Sequence, residues 1–476
     1  MQAEKDDRPE LARHLKSRHV QLIAIGGTIG TGLFLGSGQS IHSAGPSILF
    51  AYLITGGICF LLMRALGELL MSDVDSHTFI DFITKYLGKD AGWVTGWTYW
   101  ICWVALAMAE VTAIGLYIRF WLPDVPQWLP GLIALAILLL LNLVSVGLFG
   151  EAEFWFALIK IVAIIGLIVL GIFMVIVRFK TPLGHASLDN LVNDGGFFPK
   201  GVGGFLMSLQ MVVFSFVGIE MVGLTASETK NPHKVIPEAI NEIPMRILLF
   251  YVGALFVIMC IYPWRHVSPV NSPFVEVFNN VGIPFAADII NFVVLTAAAS
   301  ACNSSIFSTG RLLFSLTLNG KSQSAQWTAK LSRRQVPARA ILVSTGVIAV
   351  AVVLNLFLPG SVFTLVSSMA TISFLFVWGM IMLAHLRYKK LHPHSTDFRM
   401  PLYPFADYLV LGFLLLTAVI MMFDRAMLSA LIFAIVWIAT LFILRRLRRA
   451  EKAASGAPRT HHGTSSRPPW SPGQGR

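Results

Sequence analysis

Twelve apolar segments recur along this chain, near residues 21–43, 47–71, 94–118, 128–148, 154–177, 203–225, 246–263, 284–310, 340–358, 361–385, 404–423 and 427–444. Runs of this length span a hydrocarbon core about 30 Å thick, and lipid forces their backbone polar groups to pair internally. The expectation is therefore an all-α membrane protein with twelve transmembrane helices. Composition agrees, with 13% charged and 55% hydrophobic residues, against about a quarter charged in a soluble domain. An even number of spans puts both termini on one side. With that side cytoplasmic, the inner segments hold 28 of the 36 Lys and Arg and the outer loops hold 6, with Arg64 and Lys160 inside spans. This asymmetry predicts cytoplasmic termini by the positive-inside rule. It also explains the net charge of +11 without a nucleic-acid partner.

The expected organisation is a charged cytoplasmic segment at 1–20, a transmembrane domain at 21–450, and a disordered cytoplasmic tail at 451–476, rich in Ser, Gly, Pro, Arg and His. No small-residue cleavage pattern precedes the first span, so no cleaved signal peptide is expected. Cys59, Cys102, Cys260 and Cys302 lie in or beside apolar stretches without C-x-x-C spacing, which points to small buried hydrophobes rather than a disulfide framework or zinc site. The His461-His462 pair is too sparse for a metal site.

Two spans carry a sequence that works against a continuous helix. Residues Gly26 to Gly38 read GGTIGTGLFLGSG, six glycines in thirteen positions, each costing a helix about 1 kcal/mol relative to alanine. Gly30 to Gly32 lie about 15 Å into the span, near the bilayer midplane. Unwinding there frees amide N–H groups for a small anion such as a carboxylate. The alternative is close helix packing through the small-xxx-small pairs Gly26/Gly30 and Gly32/Gly36. The sixth segment repeats the oddity in Phe214-Ser215-Phe216-Val217-Gly218-Ile219-Glu220, again about halfway across. Five spans separate the two segments, so they cross in opposite directions. That is the pattern of a 5+5 inverted repeat with a site between two unwound helices, followed by two extra helices. The correspondence favours binding over packing for the first segment.

Ionisable residues inside spans are functional candidates by default. Glu110 lies in the outer half of the third span, Lys160 in the inner half of the fifth, and Glu220 just after the second break. For Lys160 the functional reading is an ammonium that ties the fifth span to the broken carbonyls of the first, where related architectures hold a sodium ion. The alternative is a lysine snorkelling inward, and function is favoured. Glu110 and Glu220 are either proton carriers or hydrogen-bonded structural carboxyls. Arg64 and Glu68, four residues apart on one helix face, are expected to pair as an anchor near the interface.

The residues MRALGEL (Met63 to Leu69), GWTYWICW (Gly96 to Trp103), EFWFALIKI (Glu153 to Ile161), FSFVGIEMVGLTASETKNP (Phe214 to Pro232) and NSSIFSTGRLLF (Asn303 to Phe314) join the first glycine stretch in a wider likeness. The chain resembles the amino acid–polyamine–organocation superfamily, specifically its bacterial amino acid permeases, over about residues 15 to 450. Through NDGGFFPKG (Asn193 to Gly201) and SPFVEVF (Ser272 to Phe278) it is most similar to the branch of permeases for D-alanine, D-serine and glycine. The resemblance implies a LeuT-like fold in the bacterial cytoplasmic membrane and uptake of small neutral amino acids with protons, the proton being the coupling ion and no cofactor or metal being needed. Glu110 departs from the aspartate expected in that branch, which leaves the exact substrate open. Carried over by motif, the substrate carboxylate meets the amides of Gly30, Thr31 and Gly32. The α-amino group meets carbonyls near Thr28 and Ile29 and, across the pocket, near Phe214 and Val217. Phe214 also forms an aromatic lid, with Ser215, Phe216 and Gly218 beside it. No charged side chain within these stretches awaits a charged substrate.

A channel of similar hydropathy would carry a repeated filter or a ring of pore charges, and neither is visible. An enzyme would need a nucleophile–base or metal constellation. His385, His392 and His394, at the end of the tenth span and beyond, read as solvated loop residues instead. The nearest alternatives share the fold: an amino acid exchanger without net proton entry, or a permease for another neutral amino acid. Oligomeric state leaves no mark in the sequence.

Overall fold

A computed structural model describes residues 29–73, 78–144, 146–221, 232–318, 320, 322–358, 360–393 and 398–454. The described residues are nearly all helical. Among the described residues nine helices are long and apolar enough to cross a membrane, and Trp128–Val144 and Gly201–Phe214 are shorter apolar helices. Each apolar segment expected from residue 47 onward contains a helix. The first segment is described only from Ile29, so Thr28 and the 1–20 segment lie outside the described residues.

The chain enters through a short helix α1 (Thr31–Phe34) and a second, α2 (Gly36–Ala44). Gly45, at φ 63°, and Pro46 then turn it into α3 (Ile48–Ser72). A short helix α4 (Phe79–Leu87) opens with a reciprocal Thr78–Asp81 cap and packs by Phe79 against Tyr99 of α5 (Lys89–Arg119). Next come α6 (Trp128–Val144) and α7 (Val146–Ile176). A two-stranded ribbon, β1 (Lys180–Thr181) against β2 (Gly184–His185), pairs Lys180 with His185 and Thr181 with Gly184. It leads towards α8 (Gly201–Phe214). After α9 (Pro232–Asn241), α10 (Ile243–Arg246) continues through a widened turn at Ile247–Gly253 into α11 (Ala254–Ile261). The second half holds α12 (Pro273–Asn280), α13 (Pro284–Thr317), α14 (Gln323–Thr328), α15 (Ala338–Ile348), α16 (Val350–Phe357), α17 (Val362–Leu391), α18 (Phe405–Ile420) and α19 (Arg425–Ala454). The last helix runs past the expected boundary at Ala450, and residues 455–476 lie outside the described residues.

Helix α5 is the axis of the bundle. It packs along α13 on one side and α17 on the other, and its residues from Thr98 to Gly115 are all buried. At the periphery, α7 shows how one sequence serves two environments. Glu153, Ala157, Lys160, Ile164 and Leu167 are buried, while Trp155, Leu158, Val162, Ile165 and Val169 are exposed. The alternating steps of three and four residues put each set on its own helix face. The exposed stripe is the surface expected against lipid; the buried stripe carries an acid and a base inward.

Candidate functional site

Both sequence-predicted breaks are present. Ile29 and Gly30 are non-helical, with Gly30 at φ −129° and ψ −154°, and α1 begins at Thr31. Helix α8 stops at Phe214, and residues 215–220 form successive turns. Gly218 at φ 88° makes those turns possible, since a side chain would be strained in the left-handed region. The two breaks touch. A Cβ on Gly32 would lie 2.6 Å from Ser215 Cα and 3.0 Å from the Phe214 oxygen, so glycine is what lets the backbones meet. Phe214, Phe216 and Val217 are buried, with the Phe214 ring edge-on to Phe363 at 6.1 Å.

Two tyrosines hold the second break from outside its own helix. Tyr52 Oη is 3.0 Å from Ser215 Oγ, and Tyr251 Oη donates to the Ser215 carbonyl at 3.1 Å. The Phe216 ring stacks on Tyr251 at 4.9 Å and 12°. Tyr251 belongs to the widened turn, a local geometry often found at functional sites.

The intramembrane charges converge on the first break. Lys160 Nζ donates to the Ile29 carbonyl at 3.2 Å and to Ser300 Oγ at 3.0 Å. Ser300 in turn donates to Glu153 Oε1 at 2.5 Å. From the other side, Glu110 Oε1 accepts from Thr31 Oγ1 at 2.9 Å and from the Thr31 amide at 3.3 Å. A Cβ on Gly30 would meet the same oxygen at 2.8 Å. Lys160, Glu153, Glu110, Ser300, Ile29 and Thr31 are all essentially inaccessible to solvent. Glu220 stands apart from this group; its oxygens accept from Tyr99 Oη and Trp378 Nε1, each at 3.0 Å.

Two of the atoms expected to meet substrate hold hydrogen bonds within the protein. The Thr31 amide, expected for the substrate carboxylate, already donates to Glu110. The Ile29 carbonyl, expected for the substrate amino group, already accepts from Lys160. Thr28 lies outside the described residues. The geometry corrects the expectation for the histidines. His385 is fully buried, with Nδ1 2.6 Å from Asp407 Oδ1 and Nε2 3.2 Å from Glu68 Oε2. Glu68 does not turn to Arg64. It accepts from Lys389 Nζ at 2.8 Å and from the Met400 amide at 2.7 Å, while Arg64 bonds Asn241 and the Arg399 carbonyl and lies over the Phe398 ring. A local i, i+4 opportunity lost to partners more than 300 residues away, because α17 and the 398–403 loop pack onto α3. His392 is exposed, and His394 lies outside the described residues.

Glu153, Ser300, Tyr52 and Tyr251 are the site residues that sequence reasoning passed over. Glu153 had a legible signal: it lies seven residues, two helical turns, before Lys160 on the same stripe. No signal marked the hydroxyls, whose importance depends on which helix they face. Among the described residues no cluster of three or more His, Cys, Asp or Glu side chains is placed to hold a metal ion.

The fold is that of a multi-pass helical membrane protein whose two broken helices meet at Gly32 and Ser215, with buried, bonded charges beside the first break. Residues 19–455 match the amino acid permease family model, and the chain belongs to that family, within the amino acid–polyamine–organocation superfamily. It is 56% identical to the amino-acid permease AapA of Bacillus subtilis over 448 residues, covering 93% of this chain and 96% of that one. Over 444 residues it is also 56% identical to the uncharacterized transporter YdgF of the same species, covering 93% and 96%. It shares 49% identity over 437 residues, 90% of this chain and 93% of the other, with the D-serine/D-alanine/glycine transporter of Escherichia coli K12. The family and these relatives are transporters and permeases, not enzymes.

Proposed function

We propose that this chain is a secondary active transporter that imports small neutral amino acids, among them alanine, serine and glycine and their D-forms, together with protons. The observation that carries the reading is the pair of meeting breaks, the first held by Lys160 and Glu110 and the second by Tyr52 and Tyr251. The broken stretches offer backbone dipoles and hydroxyls, and the two charges that reach the first break are of opposite sign and already bonded to it. Nothing in that arrangement favours a net charge on the substrate side chain. The name of the Escherichia coli relative supports the same substrate class.

A pH response follows from competition at the Thr31 amide. A substrate carboxylate directed to the Thr31 amide meets the Glu110 carboxyl that now occupies it. Two carboxylates about 4 Å apart repel by about 4 kcal/mol at an effective dielectric constant of about 20. Substrate loading is therefore favoured when a proton neutralises Glu110, so this carboxyl makes loading depend on pH. Lys160 acts as the latch between the fifth span and the Ile29 carbonyl, and inward release requires that latch to open. Glu220, tied to Tyr99 and Trp378, adjusts the pH response from the second break. The twelve-span LeuT-like 5+5 repeat, the cytoplasmic termini and the location in a bacterial cytoplasmic membrane belong to the same reading, supported by the charge asymmetry of the loops.

Uptake of labelled glycine, L- and D-alanine and L- and D-serine into proteoliposomes, with and without an imposed proton gradient, tests it. These substrates are expected to outcompete lysine and glutamate and to accumulate only with the gradient. Best competition by a charged amino acid would sink the pocket assignment. Counterflow without any response to the gradient would replace symport by exchange.

A further inference from the structure

We propose that Lys160, Ser300 and Glu153 form a proton relay in which Glu153 accepts the coupling proton from Lys160 through the Ser300 hydroxyl. The inference rests on the symport reading above. It arises from the direction of two hydrogen bonds. A serine hydroxyl has one proton to give. Ser300 Oγ gives its proton to Glu153 Oε1 at 2.5 Å, so it stands as acceptor to Lys160 Nζ at 3.0 Å. The bonds thus run one way, from ammonium to hydroxyl to carboxyl, in a site from which solvent is excluded.

The step balances within these three side chains. An Nζ–H bond of Lys160 breaks as a new Oγ–H bond forms on Ser300. The original Ser300 Oγ–H bond breaks as an Oε1–H bond forms on Glu153. An ammonium and a carboxylate become a neutral amine and a neutral carboxylic acid, and no other reactant is needed. The consequence falls on the latch. The Lys160 bond to the Ile29 carbonyl is charge-assisted before transfer and neutral afterwards, and such bonds lose roughly half their strength with the charge. Proton transfer to Glu153 therefore loosens the fifth span from the broken first helix.

Among the described residues, two carboxyls act on Lys160: Glu153, on its own helix α7, and Glu110, from α5. Helix α13 presents Ser300 and Asn303, and α6 presents Asn142, bonded to Asn303 at 2.8 Å; none of these titrates near neutrality. Glu110 Oε1 is occupied by Thr31 on the far side of the break. Glu153 stands two helical turns before Lys160 on α7, towards the end of the helix that starts at Val146, and its carboxyl reaches back to Ser300, 2.5 Å away. A proton passed to it has moved away from the break.

The test is substrate-driven proton influx, read by a pH dye trapped in proteoliposomes, alongside counterflow of labelled glycine in the same preparations. S300A keeps both charged groups and removes the hydroxyl, and E153Q keeps the shape and removes the acceptor. Each is expected to reduce proton influx by about a hundredfold or more, the scale of a lost proton-transfer group, and to reduce counterflow far less. S300T restores the hydroxyl and is expected to recover proton influx. Parental influx in S300A or in E153Q overturns the relay, as does failure of S300T to recover what S300A loses. If S300A does not fold, E153Q carries the decision. If the unaltered protein carries no protons with glycine, the symport reading fails and the relay fails with it. If the unaltered protein carries them and S300A matches it, only the relay is lost.

Discussion

Replacing Gly32 by alanine puts one carbon atom where the two broken helices meet. The new Cβ would lie 2.6 Å from Ser215 Cα and 3.0 Å from both the Phe214 oxygen and the Ser215 nitrogen. Carbon atoms sit comfortably about 3.5–4.0 Å apart, so the breaks must separate by about 1 Å. The obstructing atoms are backbone, itself held by Tyr52 and Tyr251, and have no side-chain rotamer through which to yield. Inserting a methyl group into such a contact costs about 1–3 kcal/mol. At about 1.4 kcal/mol per tenfold change, substrate binding should weaken by about 5- to 150-fold, with Gly32→Val worse still. Gly36→Ala is the control, because its Cβ would also lie 2.6 Å from a neighbour, but that neighbour is Met211 Sδ. A flexible thioether swings aside, so the affinity loss should be much smaller. Equilibrium binding of labelled D-alanine or glycine to purified protein reads the difference, with thermal unfolding as a check on folding. Parental affinity in G32A, or an equal loss in G36A, would refute the claim that the breaks are locked in register by backbone contact.

The Lys160→Met variant keeps side-chain length and removes the charge that bonds the Ile29 carbonyl; it should abolish gradient-driven accumulation more severely than it weakens equilibrium binding, and accumulation at the parental rate would reduce the lysine to an anchor. Glu110→Gln retains a group that can bond Thr31 but takes up no proton, so binding should persist while the dependence of uptake on external pH flattens; an unaltered pH profile in proteoliposomes would count against the competition mechanism. Glu68→Ala leaves Lys389 and His385 buried without their shared carboxylate, a loss of about 3–5 kcal/mol. The unfolding midpoint in detergent should fall well below that of Arg64→Ala, and equal midpoints would mean that the cluster does not stabilise the fold.

What the sequence determined alone was everything set within a single segment. Apolar length specified the helices, because lipid leaves a backbone no other way to satisfy its polar groups. Glycine density placed the break at Gly30, because helix propensity is a local quantity, and polar residues with an acid at mid-span placed the turns after Phe214. Lys160 was legible too, since a lysine amid Ile159 and Ile161 needs a polar partner and a broken helix exposes carbonyls. Tertiary structure alone decided which groups became partners. Glu110 reaches Thr31 across 79 positions of chain, Ser300 reaches Glu153 across 147, and His385 reaches Glu68 across 317. The buried His385, which the sequence presents as a loop residue, and the abandoned Arg64–Glu68 pair show why. A charge in a low-dielectric interior takes the partner that three-dimensional packing brings into contact, and the neighbour one helical turn away prevails only where nothing better is packed against it.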